Sequence, residues 1–153
     1  MEIKEMEIKG MEILGLLSKK KVLVTGGSRG IGLAVVKACL AGGAEVAATW
    51  NTSEDGLSDL KDGEFGDRLT TYRLDIRDAG AVKEVTADVV KRLDGVDALV
   101  NNAGISRSAL FMMMSDEQWN EVFQTNLGGA RNVTGQVLLP MLSKKKGNNI
   151  VIG

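Results

Sequence analysis

The chain has 153 residues, of which 44% are hydrophobic and 25% charged, and its formal net charge is -1. This length corresponds to about one domain, and the composition is that of a globular protein rather than a disordered one. The near-neutral charge gives no long-range field that would attract nucleic acid or an anionic membrane, so neither partner is expected. No apolar run approaches the ~18 residues that a membrane span requires.

Histidine is absent from the sequence, and Cys39 is the only cysteine. Without histidine the chain offers no His-based catalytic triad and no His metal ligand, and we predict no metal site. A lone cysteine forms no internal disulfide, so a cytoplasmic location is expected. Lysine runs at 19–21 and 144–146 each precede a predicted strand, where solvated loops are expected; a nucleic-acid patch is the alternative.

Residues 1–18 repeat a Met-Glu-Ile motif with a period of five, starting at Met1, Met6 and Met11. Successive isoleucines would lie ~140° apart on a helix and on opposite faces of a strand. Since such a segment cannot bury one continuous face, we expect residues 1–18 to form a loose extension ahead of a domain spanning 19–153. A short partner-binding role is the alternative.

Strand and helix patterns alternate along the rest of the chain. Short apolar, β-branched runs predict five strands, at residues 21–25, 45–49, 69–74, 97–100 and 150–152. Helical spacing of apolar residues predicts a helix from 31 to the glycine pair at 42–43, another over 78–93, and a third from the capping box at 115–118 to about 142. The polar, glycine-broken stretch 51–68 leaves room only for a short helix.

The first of these helices should bury one face. Its apolar spacing assigns that face to Ile31, Ala34, Val35, Ala38 and Cys39. Cys39 is therefore predicted to be a small core residue rather than a nucleophile.

Alternating strands and helices with nearly continuous apolar strands imply a parallel sheet covered on both faces. Right-handed crossovers then give an α/β fold with a doubly wound parallel sheet of the Rossmann type, here truncated after the fifth strand. The ligand crevice of such folds lies beyond the carboxyl ends of the strands. In this sequence the unusual residues cluster at those ends.

The most specific motif is TGGSRGIG at residues 25–32, between the first strand and the first helix. Its spacing is G-x-x-x-G-x-G rather than G-x-G-x-x-G, but the physical requirements are the same. Residues without a β-carbon allow a tight turn and a close approach to a pyrophosphate, and the helix start offers free N–H groups and a positive dipole end. The context predicts a dinucleotide site.

The end of the second strand favours NADP(H) over NAD(H). NAD sites usually place Asp or Glu there to hold the ribose 2′-hydroxyl. Here Thr49, Trp50 and Asn51 occupy that end, whereas Glu45 lies at the opposite end. Arg29 projects from the glycine turn toward the same region, where a guanidinium can grip a 2′-phosphate. A solvated Arg29 with no coenzyme preference is the alternative.

The sequence resembles the short-chain dehydrogenase/reductase family at four motifs, which occur in the family's order and with its spacing. They are TGGSRGIG at 25–32, LDIRD at 74–78, NNAG at 101–104 and TNL at 125–127. Over Ala109–Asn126 the sequence is most similar to the 3-oxoacyl-[acyl-carrier-protein] reductases of that family. The resemblance runs from about Lys19 to Gly153.

The resemblance implies a role for each matching position. It implies that the pyrophosphate and adenosine ribose are surrounded by Gly26, Gly27, Ser28, Arg29 and Ile31. Gly30 and Gly32 would let the backbone approach the coenzyme closely. It implies Asn51 near the ribose phosphate, Asp75 and Ile76 flanking the adenine with the carboxylate accepting from its amino group, and Asn102, Ala103 and Gly104 beneath the middle of the coenzyme. Taken singly, Asp75 could instead be a helix cap and Asn102 a turn residue.

Asn126 matches the family's helix asparagine, whose backbone carbonyl holds a water in the proton relay. The family's catalytic serine and Tyr-x-x-x-Lys pair would follow Gly153, where this chain ends, and the sole tyrosine, Tyr72, has no lysine four residues on. Carbonyl reduction needs a donor that polarises the oxygen and delivers a proton. We therefore expect this chain alone to be inactive.

The resemblance implies that the complete enzyme is an NADPH-dependent oxidoreductase that converts a 3-oxoacyl thioester, small or carrier-bound, into a 3-hydroxyacyl thioester. Complete members are usually homo-oligomers. Two alternatives stay open: a non-catalytic nucleotide-binding module or one half of a split enzyme, and a product without a stable fold.

We also expect an exposed apolar edge at 150–152 and a bared face on the preceding helix. The run Phe111–Met114 is expected to pack beneath a loop, with substrate or partner contact as its alternative.

Overall fold

The computed structural model describes residues 15–153. Most of the predicted extension lies outside them, but its last residues are attached to the domain. The Leu17 N–H donates to the Gly42 carbonyl at 2.8 Å, and the Leu17 side chain packs against a core cluster. The backbone of Ser18 lies beside Gly43.

Strands and helices alternate as the sequence predicts. The strands are β1 (Lys21–Val24), β2 (Glu45–Trp50), β3 (Leu69–Arg73), β4 (Ala98–Asn101) and β5 (Asn148–Val151). The helices are α1 (Gly30–Ala41), α2 (Asp55–Lys61), α3 (Ala79–Arg92), α4 (Asp116–Phe123) and α5 (Ala130–Ser143), with a π-helical segment, Gln124–Gly129, joining α4 to α5. The predicted capping box at the start of α4 is confirmed: Ser115 Oγ accepts from the Gln118 N–H at 3.3 Å, and Gln118 Oε1 accepts from the Ser115 N–H at 3.1 Å.

The five strands form one parallel sheet in the order β3-β2-β1-β4-β5. The doubly wound fold predicted from the sequence is thus confirmed. Winding changes direction between the neighbours β1 and β4, so the helices that follow these two strands cover opposite faces of the sheet and leave a crevice beyond the strand ends. Val24 pairs with both Ala48 and Val100, which brings the carboxyl ends of the three central strands level.

The sheet separates two apolar cores. Val22 and Val24 of β1 face α1 and α2, whereas Leu23 between them faces α3 and α5. Val36 and Leu57 fill the first core, with no measurable exposure. Val82, Val89, Val133 and Val137 fill the second core and are equally inaccessible to solvent. Each such side chain contributes roughly 1.5–3 kcal/mol of burial free energy.

The predicted buried face of α1 is wrong in part. Gly32, Val36, Cys39 and Leu40 are the buried residues, whereas Ile31 is 63% exposed and Ala34 and Ala38 are also exposed. The helix is apolar on nearly every side, so periodicity alone could not select the face that meets the sheet. Cys39 is buried as predicted, and burial raises the pKa of its thiol.

The run Phe111–Met114 does not pack beneath a loop, and that prediction is wrong. Phe111, Met112 and Met113 are 81%, 87% and 73% exposed, because they form a short 3₁₀ turn on the surface ahead of α4. Phe111 meets the ring of Trp119 edge-on at 6.3 Å. Contact with a substrate or partner therefore stays open for this turn.

The edge strand and the outer face of α5 are open to solvent. All four residues of β5 are exposed, and β4 is its pairing strand within residues 15–153. Leu139 and Leu142 of α5 are also exposed. In the part of the chain that the structure describes, no helix combines the length and apolarity needed to cross a bilayer.

The two lysine runs meet at the amino-terminal edge of the sheet. The ammonium groups of Lys21 and Lys144 both lie 3.5 Å from carboxylate oxygens of Asp94. Lys146 pairs with Asp97 at 2.7 Å. Since these groups lie at the end of the sheet opposite the carboxyl edge, they take no part in the crevice.

Candidate functional site

A cleft of about 530 Å³ opens at the carboxyl edge of the sheet, beside the point where the winding changes direction. Eleven of the residues singled out in the sequence line it: Gly26, Ser28, Arg29, Gly30, Ile31, Asn51, Asp75, Ile76, Asn102, Ala103 and Gly104. Gly27, Gly32 and Asn126 instead lie behind this lining and shape it. The tertiary structure therefore brings together residues from four loops that are far apart in the sequence.

Two glycines let the turn after β1 lie close to the loop after β4. Gly26 has a φ of +66°, and a β-carbon there would lie 2.8 Å from the Ala103 Cα. A β-carbon at Gly32 would overlap both the Gly26 carbonyl oxygen and the Asn102 side-chain amide. Glycine is therefore required at both positions by the packing of one loop on the other, before any ligand is considered.

Thr25 locks these two loops together. Its hydroxyl oxygen accepts from the N–H groups of Asn102 and Ala103, at 3.1 Å each, and the hydroxyl donates to the Val100 carbonyl at 3.4 Å. In return, the Asn102 amide donates to the carbonyls of Thr25 at 3.1 Å and Gly26 at 2.9 Å. Asn102 therefore ties the two loops together, which goes beyond a local turn role.

The start of α1 faces the cleft as an anion site. Within residues 15–153, the helix has neither a side-chain hydrogen bond from its N-cap, Arg29, nor an acidic residue in its first turn. Its first N–H groups and positive dipole end are thus free to meet an anion. A β-carbon at Gly30 would meet no atom within 4 Å, so the approach is open. These features fit a diphosphate.

The end of β2 forms the next wall of the cleft, with Trp50, Asn51 and Thr52 beside Arg29. Among the described residues, Arg29 forms no ion pair. The guanidinium of Arg73 lies 5.8 Å from the Trp50 ring, and its Nε donates to the Asn51 carbonyl at 3.4 Å. This wall offers cationic groups and an amide where an NAD site has a carboxylate.

Asp75 is held by a partner that sequence reasoning missed. Arg77 grips its carboxylate through Nε at 2.9 Å and Nη2 at 2.6 Å, and the Arg77 N–H donates to the same carboxylate at 3.0 Å. The hydrogen bonds from Arg77 hold the pKa of Asp75 below its ordinary value. Asp78, not Asp75, caps α3 by accepting from the N–H groups of Gly80 and Ala81. The helix-cap alternative for Asp75 is therefore wrong.

Asn126 lies in the π-helical segment between α4 and α5 and supports the loop after β4. Its Oδ1 accepts from the Ile105 N–H at 2.9 Å, and its Nδ2 donates to the Ile105 carbonyl at 3.0 Å. A β-carbon at Gly104 would lie 3.1 Å from Asn126 Oδ1. The Asn126 side chain is thus committed to the loop, where both of its polar atoms bond the Ile105 backbone.

Arg107 and Glu121 form a second ion pair on the wall of the cleft, and neither was expected from the sequence. Arg107 donates through Nε and Nη2 to the two carboxylate oxygens of Glu121, at 3.0 Å each. The pair ties the long loop after β4 to α4. Charge at these positions was visible in the sequence, but no local spacing connects them.

The sole tyrosine lies away from the cleft. Tyr72 projects from β3 toward α3, where its hydroxyl donates to an Asp88 carboxylate oxygen at 2.7 Å. Burial and this hydrogen bond raise the pKa of Tyr72 to about 12. The group therefore stays a neutral phenol at physiological pH and has a structural partner of its own.

Comparison with known proteins places this architecture in a family. The family described as short chain dehydrogenase matches residues 20–153. The 3-oxoacyl-[acyl-carrier-protein] reductase of Escherichia coli is 40% identical over 134 residues, which cover 88% of this chain and 54% of that protein. The corresponding reductase of Vibrio cholerae is 37% identical over 137 residues, or 90% of this chain and 55% of that protein. The chain thus spans about half the length of the curated relatives it matches.

Solved structures give the same answer. A short-chain dehydrogenase from Streptomyces avermitilis superposes with a TM-score of 0.82 at 33% identity, covering 88% of this chain and 49% of that one. ElxO, solved with NADP bound, superposes with a TM-score of 0.82 at 30% identity, covering 88% of this chain and 55% of that one. Because the family match covers nearly all of the described residues, the chain belongs to the short-chain dehydrogenase family of oxidoreductases.

Proposed function

We propose that this chain is the coenzyme-binding part of an NADP(H)-dependent carbonyl reductase, acting between 3-oxoacyl and 3-hydroxyacyl thioesters in the cytoplasm. One observation carries the proposal: the glycine turn, the free start of α1 and Arg29 converge on a single cleft. These groups combine close backbone approach with positive potential, which suits a diphosphate. Among the described residues, no other region brings together as many of the positions predicted from the sequence.

The coenzyme, when bound, supplies the hydride for carbonyl reduction. The residues of this chain bind and orient it. Ser28, Ile31 and the neighbouring backbone N–H groups would hold the pyrophosphate, while Gly26 and Gly30 keep side chains out of its way. Asn102, Ala103 and Gly104 would form the floor beneath its centre, which Thr25 holds rigid.

Arg29 and Asn51 support NADP(H) as the preferred coenzyme. A 2′-phosphate placed at the end of β2 would meet the Arg29 guanidinium and the Asn51 amide rather than a carboxylate. Charge-assisted hydrogen bonds of this kind are worth roughly 1.5–3 kcal/mol. The NADP-bound neighbour ElxO is consistent with this choice.

The substrate class is supported by the relatives that act as 3-oxoacyl-[acyl-carrier-protein] reductases. Of the family's Asn-Ser-Tyr-Lys set, residues 1–153 contain a match only for Asn126, and Tyr72 is bound to Asp88. We therefore expect the chain by itself to bind coenzyme without turning over substrate. The carbonyl of Asn126 would hold a relay water in the complete enzyme, which we expect to be a homo-oligomer.

A titration with coenzyme tests this proposal. NADPH fluorescence should rise in a saturable way on addition of the chain, and NADH should bind more weakly. An assay with NADPH and an acetoacetyl thioester should show no turnover above the rate without protein. Absence of saturable NADPH binding would remove the nucleotide site, and measurable turnover would show that catalysis does not need the missing set.

A second candidate is a half-site that works only when another polypeptide completes it. The open edge of β5 and the exposed Leu139 and Leu142 favour it, because such a surface is costly to leave in water. Mixing the chain with a separately produced polypeptide equivalent to residues beyond its match in the Escherichia coli reductase should then restore NADPH-dependent turnover. If the mixture stays inactive and the two polypeptides do not co-elute, this candidate is excluded.

A further inference from the structure

The turn after β3 contains Asp75 and Ile76, the residues assigned above to the adenine. It leaves β3 through a hydrogen bond from the Leu74 N–H to the Trp50 carbonyl at 2.7 Å, and closes through one from the Asp78 N–H to the Asp75 carbonyl at 3.1 Å. Neither bond involves the carbonyls of Ile76 and Arg77. Their position therefore depends on a partner from another element.

That partner is Asn132 on α5. Its Nδ2 donates to the Ile76 carbonyl at 3.1 Å and reaches the Arg77 carbonyl at 3.5 Å. Carbonyl oxygens only accept, so the donating end of the amide must face them and the orientation of the side chain is fixed. The contact spans 56 positions of sequence and joins the turn to the helix that continues from the Asn126 segment.

Gly129 holds the same turn from the side. The Ile76 side chain is 5% exposed and lies directly against Gly129, where a β-carbon would overlap the Ile76 Cδ1 and Cγ1 atoms. Gly129 ends the π-helical segment that runs directly into α5 and lies one turn before Asn132, so the two residues act on Ile76 together. Asn132 bonds the Ile76 backbone carbonyl, and Gly129 contacts the Ile76 side chain.

We infer that Asn132 is a positioning residue for coenzyme selectivity: it sets the depth of the turn at 75–77 and thereby places the Asp75 carboxylate against the adenine amino group. This inference rests on the proposed coenzyme site. Arg77 bonds both oxygens of that carboxylate and holds it to the turn, so a shift of the turn moves the carboxylate with it. Freeing the Ile76 carbonyl would let the position of the carboxylate vary.

The experiment compares NADP with its hypoxanthine analogue, in which a carbonyl oxygen replaces the adenine amino group. The unsubstituted chain should bind NADP roughly tenfold more tightly, because the analogue turns an acceptor toward the carboxylate. In Asn132→Ala the ratio of the dissociation constants of the analogue and NADP should fall to about two, mostly because NADP binds more weakly. General destabilisation would weaken both ligands alike and leave the ratio unchanged, so the ratio separates positioning from a merely structural role.

Two further variants complete the test. Gly129→Ala should narrow the ratio in the same way, although alanine favours the helix and should not lower its intrinsic stability. Arg131→Ala, an exposed neighbour on α5, should leave the ratio at the unsubstituted value. If Asn132→Ala is too unstable to titrate, Gly129→Ala decides the matter alone.

The outcomes are distinguishable. Absence of saturable NADP binding by the unsubstituted chain overturns both the proposed function and this inference. Binding with no preference over the analogue, or a preference that survives in Asn132→Ala and Gly129→Ala, overturns the inference and leaves the proposed function standing.

Discussion

The hydroxyl oxygen of Thr25 accepts from the Asn102 N–H at 3.1 Å, while the Asn102 side-chain amide donates to the Thr25 carbonyl at the same distance. This reciprocal pair joins the loop after β1 to the loop after β4 across 77 positions of sequence. Both loops line the cleft. This contact within the protein therefore sets the width of the cleft before any ligand binds. Thr25 itself is 1% exposed, which places the contact beyond the reach of water.

Thr25→Val should destabilise the fold and weaken coenzyme binding together. The isosteric change leaves the part-buried N–H groups of Asn102 and Ala103 without an acceptor, at a cost of roughly 1–3 kcal/mol for each. Urea unfolding and an NADPH titration measure the two effects. Thr25→Ser keeps the hydroxyl and removes one methyl, which should cost about 1 kcal/mol. Equal losses in both variants would mean that methyl packing, not the hydroxyl, holds the loops.

Gly32→Ala should abolish coenzyme binding, because its β-carbon needs the space of the Gly26 carbonyl and the Asn102 amide and would force the turn open. Gly135→Ala in α5 is the matched control, since a β-carbon there meets no atom within 4 Å. That control should bind coenzyme normally and gain about 0.5–1 kcal/mol in helix stability. Isothermal titration with NADP and thermal unfolding check both. Normal coenzyme binding by Gly32→Ala would show that the turn can shift to accommodate a β-carbon without losing its coenzyme site.

Arg29→Ala should reduce NADP affinity roughly tenfold to hundredfold while changing NAD affinity little, because only NADP carries the 2′-phosphate. Asn51→Asp should act in the opposite sense and favour NAD, since a carboxylate repels the phosphate and can accept from the ribose hydroxyl. Paired titrations with the two coenzymes measure the change in preference. A parallel fall for both coenzymes in Arg29→Ala would place the guanidinium at the shared pyrophosphate instead.

Tyr72 should titrate near pH 12, well above an ordinary phenol. It is the only tyrosine, so phenolate absorbance reports this group alone. A raised pKa means that the fold favours the neutral phenol: the stabilisation is complete below about pH 10 and is lost as pH rises through the folded value. Asp88→Asn removes the carboxylate charge but not the burial, and should move the midpoint down while keeping it above 10. A midpoint near 10 in the folded protein would contradict both the burial of Tyr72 and its contact with Asp88.

The sequence alone determined the parts of this protein that depend on neighbouring residues. Strand and helix alternation, the capping box at Ser115 and the glycine turn at 25–32 follow from local periodicity and local backbone freedom, and the doubly wound sheet follows from their order. The glycine turn and the end of β2 could be named from the sequence pattern, and the resemblance to the family added positions after β3 and β4. These positions follow the carboxyl ends of parallel strands, which share one edge, whereas Arg107 and Glu121 of the same cleft were not predicted.

Only the tertiary structure decided which groups those residues contact. The buried face of α1 could not be selected because the helix is apolar on nearly every side, and the sheet determined it. The pairing of Arg107 with Glu121, and of Asn132 with the Ile76 carbonyl, joins residues 14 and 56 positions apart. Hydrogen bonds of this kind form wherever packing brings a donor within reach of an acceptor. No periodicity in the chain encodes that distance, so the network that sets the shape of the cleft is visible only once the helices lie on the sheet.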